Sequence, residues 1–114
     1  GMFYGIQKGA IEALKLGSEW FDSQNKIYKR RRKLIFQLAE KLGCTFNKEA
    51  VGMFVWAKLP FGNRSSETFI DTFLIEKNIF LTPGTIFGKN GEGYIRFSLC
   101  IREEKIQEAI DRLD

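Results

Sequence analysis

One arginine stands out for the company it keeps. Arg96 lies in Tyr94-Ile95-Arg96-Phe97-Ser98-Leu99, a run that alternates polar and apolar residues. Alternation of this kind predicts a strand over 94–101. Ile95, Phe97, Leu99 and Ile101 then face one way, and Tyr94, Arg96, Ser98 and Cys100 the other. A glycine-rich stretch, Thr82-Pro83-Gly84-Thr85-Ile86-Phe87-Gly88 followed by Asn90-Gly91-Glu92-Gly93, feeds that strand. A guanidinium presented by a rigid strand is a planar fork, and a planar fork suits two-point capture of a carboxylate. A surface arginine on a half-exposed strand fits the same residues, so the pattern alone leaves both readings open.

Other chemistries are narrowed by what the 114 residues contain. There is no His, which excludes imidazole acid–base catalysis and His-ligated metals. Cys44 and Cys100 form no CxxC pair; two free, small apolar thiols in a reducing cytoplasm are expected. Ser23-Gln24-Asn25-Lys26 spells S-x-x-K, but it falls inside a helical pattern on a face left to solvent. Net charge is +4, concentrated in Lys29, Arg30, Arg31, Arg32 and Lys33. That cluster follows a helix, so its charges fan around the axis instead of forming one nucleic-acid patch. A solvated helix face with one structural arginine, Arg31, is the expected arrangement. Gly88, Gly91 and Gly93 precede a strand, whereas a dinucleotide cradle needs its glycines after a strand and at a helix start. No signal peptide is visible. No apolar run approaches the roughly 18 residues of a membrane span, and a soluble, cytoplasmic protein without nucleic-acid or membrane partners is expected.

The elements that must position Arg96 can be read from periodicity. Residues 2–16 predict a short helix with Ile6, Ala10, Ala13 and Leu14 on one face, stopped by Gly17. Ser18 is the expected N-cap of a long helix reaching Leu42, with Gly43 as its stop. Its apolar face comprises Trp20, Ile27, Tyr28, Leu34, Ile35, Leu38 and Leu42, within an arc of about 120°. Arg31 falls inside this arc and needs an acidic partner there. Phe36 falls on the opposite side, which points to contact with a second body or to one exposed Phe. A short strand is expected at 44–47 and a longer one from Val51 to Leu59. Met53, Val55, Ala57 and Leu59 take one of its faces, Phe54 and Trp56 the other, with both faces covered. Phe61-Gly62-Asn63-Arg64 reads as a loop. Ser65 or Ser66 caps a third helix to Lys77, with Phe69, Ile70, Phe73 and Leu74 inward and Asn78 as a left-handed stop. Ile79–Thr82 forms a short strand, and a last helix from Glu103 carries Ile106, Ala109, Ile110 and Leu113. The order α-α-β-β-α-β-β-α implies an α+β, two-layer domain: a small mixed or antiparallel sheet with helices largely on one face, preceded by a long connecting helix.

Several of these segments together resemble a known family. The loop Thr82-Pro83-Gly84-x-x-Phe87-Gly88 followed by Gly91-Glu92-Gly93-Tyr94-Ile95-Arg96-x-Ser98 is similar to the C-terminal signature of class I/II, fold-type I, pyridoxal-phosphate-dependent aminotransferases. Gly5 to Leu14 resembles the helix just before that family's small domain. Glu19-Trp20 with Tyr28 to Leu34 resembles its long connecting helix, Val51 to Trp56 its first small-domain strand, and Ser66-Glu67 to Lys77-Asn78 the helix before the TPG strand. With Gly1 read as an expression scar, the resemblance implies that the rest of residues 1–17 is the end of the large-domain or linker helix, and that 18–114 are the C-terminal small domain.

What the resemblance implies for function is specific at one position. Arg96 corresponds to the arginine that binds the substrate α-carboxylate; no catalytic, cofactor-binding or metal-binding residue is expected in this chain. The lysine that carries pyridoxal 5'-phosphate and moves the proton belongs to a serine-rich segment before the region present here, together with the groups that hold the cofactor ring and phosphate. The full-length protein is then expected to be an aminotransferase of amino-acid metabolism or biosynthesis, working on an amino acid and a 2-oxo acid as a homodimer. This chain would bind its own N-terminal large domain, and alone be inactive and cofactor-free. The alternative is an aminotransferase-like ligand-sensing domain of a transcription regulator. Phe36 and the two-sided strand further predict an apolar flank that self-associates when the domain stands alone.

Overall fold

The computed structural model describes residues 1–60 and 65–114; the loop expected at 61–64 lies outside the described residues. The chain forms α1 (Tyr4–Leu14), α2 (Ser18–Lys41), β1 (Thr45–Phe46), β2 (Phe54–Lys58), α3 (Ser66–Lys77), β3 (Thr82–Pro83), β4 (Tyr94–Ser98) and α4 (Glu103–Asp111). Two single 3-10 turns, Gly84–Phe87 and Lys89–Gly91, link β3 to β4. The sheet order is β1-β2-β4-β3, with every pair antiparallel. The two-layer α+β architecture is as expected.

The period-2 pattern of β2 and β4 decides where the core lies. Val55 pairs with Phe97 and Ala57 with Ile95, and all four are buried. Ile35, Leu38 and Ala39 of α2, Ile70 and Phe73 of α3, and Ile106 and Ile110 of α4 belong to the same core. Full burial of a side chain such as Phe97 contributes roughly 1.5–3 kcal/mol. The opposite row, Trp56 beside Arg96 beside Thr82, faces outward.

The long helix departs from expectation at its start. Ser18 is the first helical residue, not the cap; Gly17 holds the cap position in extended conformation, without a side-chain capping bond. Its end is a Schellman motif. Gly43 sits at φ +70°, its N–H donates to Glu40 O (2.9 Å), and the Cys44 N–H donates to Ala39 O (2.9 Å). The first turns of α2 stand off the domain, with Trp20 47% exposed, and packing against the core runs from Tyr28 onward. Phe36 stacks on Phe46 of β1, ring centroids 4.8 Å apart. Its second body is therefore this domain's own edge strand.

Other limits shift for local reasons. Gly52 turns the chain at φ +93°, so β2 starts at Phe54 and Met53 is exposed. The Phe54–Trp56 face, expected to be covered, is open: the two side chains are 41% and 38% exposed. β4 ends at Ser98 because the Cys100 N–H donates to Ser98 Oγ and bends the chain toward α4, leaving Ile101 exposed. Leu74 is also exposed rather than inward; it stands about 100° round the helix from buried Phe73. β3 is Thr82–Pro83 rather than 79–82, although Ile79 and Leu81 are buried as core. Asn78 closes α3 in the left-handed conformation (φ 54°), as expected.

Candidate substrate-binding site

Arg96 lies in the middle of the open sheet face. Trp56 is its partner across β2 and Thr82 its partner across β3. Its guanidinium carbon stands 4.1 Å from the centre of the Phe54 ring and 4.4 Å from that of Phe87. Trp56 stacks on Tyr94 at 5.5 Å and meets Phe87 edge-on at 5.7 Å. Arg96 Nε is buried and has no hydrogen-bond partner among the described residues. No described carboxylate forms an ion pair with Arg96. A partly buried cation short of acceptors, walled by rings, is suited to an anionic ligand with oxygens in one plane.

The glycine-rich loop that carries Phe87 is fixed from several directions. Gly84 and Gly91 approach so closely that a Cβ on either would overlap the other's carbonyl oxygen. A Cβ on Gly84 would also stand 2.9 Å from Tyr94 O. Thr85 Oγ1 donates to Glu67 Oε1 of α3 at 2.9 Å. The N-terminus of α3 is tied in by Glu92, whose Oε1 accepts the Ser66 N–H (2.7 Å), the Gly93 N–H (3.0 Å) and the Ser66 hydroxyl (3.1 Å). Those bonds, the Ser66 N–H first, hold the Glu92 carboxyl below the usual glutamate range. Ser66 itself is fully buried, and its Oγ accepts the Gly93 N–H at 2.8 Å.

The structure sets Phe54 and Phe87 against Arg96, the one binding residue expected from the sequence, and brings in Glu92, which the sequence does not single out. Phe87 belongs to the TPG-x-x-FG stretch, which was a signal in plain view. Glu92 acts across 26 residues, and no local pattern announces that. The basic cluster is more structural than expected. Arg31 Nη1 donates to Leu99 O (3.0 Å), with Glu103 at 4.0 Å as its acidic partner. Arg30 pairs with Glu103, and Arg32 donates to the carbonyls of Ala50 and Gly52. Three arginines of the cluster therefore serve packing, where one was expected. Ser23 and Lys26 are exposed on α2, as the rejection of S-x-x-K requires. The described residues hold no group of His, Cys, Asp and Glu suited to a metal ion, and no helix long and apolar enough to cross a membrane.

A family model for aminotransferases of class I and II matches residues 5–113. The chain belongs to this family. It is 39% identical over 113 residues to LL-diaminopimelate aminotransferase from Maridesulfovibrio salexigens, and 36% identical over 114 residues to the transaminase BacF from Bacillus subtilis. Each match covers 99% of this chain and 29% of the relative's length. The substrate-bound structure of BacF aligns with a TM-score of 0.84 at 35% identity, and the aromatic aminotransferase from Pyrococcus horikoshii with 0.81 at 33%. These alignments cover 99% and 95% of this chain, and 29% and 30% of the solved chains. The family's pyridoxal phosphate does not fit the residues around Arg96. Phe54 and Phe87, the rings against that guanidinium, supply neither an amine for the cofactor's aldehyde nor a cradle for its phosphate.

Proposed function

We propose that this chain is the C-terminal small domain of a pyridoxal-phosphate-dependent aminotransferase, and that Arg96 binds the α-carboxylate of the amino acid and 2-oxo acid substrates. The observation that carries this is the Arg96 guanidinium, which has no carboxylate partner among the described residues and stands against Phe54 and Phe87 on the open sheet face. Every amino acid and every 2-oxo acid keeps its α-carboxylate through amino-group transfer. A fixed fork on that group orients the reacting carbon without reading the side chain. Residues 1–17 are an expression scar (Gly1) plus the end of the large-domain or linker helix, and 18–114 form the small domain. The reacting lysine and the cofactor cradle belong to the large domain. Alone, the chain turns over no amino acid. Amino-group transfer is also the activity that the relatives' names carry.

The test is a steady-state comparison in the full-length enzyme. Arg96→Ala should raise KM for the amino acid roughly 30-fold or more, because a charge-assisted bond to every substrate is lost. An unchanged KM removes Arg96 from the site.

A further inference from the structure

We infer that Phe54 and Phe87 are positioning residues for Arg96, a two-ring clamp that aims the guanidinium at the substrate carboxylate. This rests on the carboxylate reading of Arg96 and adds what holds that side chain ready. An arginine carries about 2 kcal/mol of rotamer entropy, and a free one would have to be ordered by each substrate that binds. An acid is one way to hold such a side chain still. Here both rings lie within about 4.5 Å of the guanidinium carbon, well inside the roughly 6 Å over which a cation is attracted to an aromatic face.

The choice of holder has a chemical consequence. A carboxylate would occupy the N–H donors and neutralise the charge that the substrate needs. A ring attracts the cation through its face and takes none of the in-plane donors. It also keeps water from that side of the guanidinium, which strengthens its bond to an anion. The two rings come from different elements: Phe54 from β2, Phe87 from the turn at Gly84–Phe87. Phe87 is in turn braced by the Trp56 edge, by the Gly84–Gly91 contact and by Thr85 on Glu67. The glycine-rich loop thus acts on the substrate through Phe87 and Arg96.

The test uses the full-length enzyme, 2-oxoglutarate as acceptor, and whichever amino acid of the standard twenty plus LL-diaminopimelate turns over fastest. Phe87→Leu should raise KM for that amino acid about three- to tenfold while kcat stays within about twofold. Phe54→Leu should do the same, and Phe87→Tyr, which keeps a ring, should restore the parent KM. In an Arg96→Ala background Phe87→Leu should have no further effect. Phe87 is half exposed, so its variant should unfold at the parent temperature. A rise in KM for Arg96→Ala with no change for either Phe variant overturns the clamp and leaves the carboxylate reading intact. An equal loss from Phe87→Leu with and without Arg96 also overturns it. No effect from Arg96→Ala overturns both.

Discussion

Glu92 ties the start of α3 to the entry of β4. It takes its bonds from the first turn of α3 and from Gly93 at the entry to the arginine strand. Its carboxyl titrates below the usual glutamate range because the ionised form accepts those N–H groups. The sign follows by linkage: its contribution to stability is fully present above the unfolded value of 4.5 and is lost as pH falls through the lower folded value. Glu108, held low chiefly by its hydrogen bond from Lys105, retains its own share in any Glu92 variant. Glu92→Gln should therefore unfold at lower urea concentration at neutral pH, and the gap from the parent should close in acid. A gap that persists unchanged at acid pH would show that the charge on Glu92 does not matter. The sequence was informative where a residue's placement follows from its own strand, as that of Arg96 on the outward row of β4 does. It was silent where a residue acts across the fold. Cys44 behaved as its type predicts: burial pushes its thiol up to about 11, while Cys100 is exposed.

At the scale of elements, the ends are what periodicity misplaced. Ser18 has the residue type of a cap, yet Gly17, in ordinary extended backbone, occupies that position. The strands were overextended because alternation persists past the last ladder bond. Gly52 and the Ser98–Cys100 turn end them, and both depend on local backbone geometry. Face assignment within β2 and β4 was legible, because a buried face imposes strict alternation. The glycine-rich loop was legible as a turn but not as a crossing of two backbones. Gly84→Ala should cost about 1–3 kcal/mol or more, since the new methyl has backbone on two sides. Equilibrium urea unfolding measures it, and an unchanged midpoint would mean that the loop relaxes around the methyl.

The described residues build one core and leave apolar side chains uncovered elsewhere, among them two groups that matter here. One is the α1–α2 arm, on which Phe3, Tyr4, Leu14, Trp20 and Phe21 are exposed and no α1 residue is buried. The other is the Phe54–Trp56–Phe87 face around Arg96. Surfaces of this kind on a chain that spans 29% of its relatives' length fit contact with other parts of a longer protein. The 114-residue chain alone should therefore self-associate, through that face or by exchange of α1, and sedimentation velocity over a broad concentration range should show species above monomer. A single monomeric boundary throughout would contradict it. The open face is also where the central claim can be tested most directly. In the full-length enzyme, the affinity of a substrate amino acid should be compared with that of the amine left when its α-carboxylate is removed, before and after Arg96→Ala. The parent should prefer the amino acid, and the substitution should abolish this preference while leaving the amine's affinity nearly unchanged. Preference retained by the Arg96→Ala enzyme would contradict it.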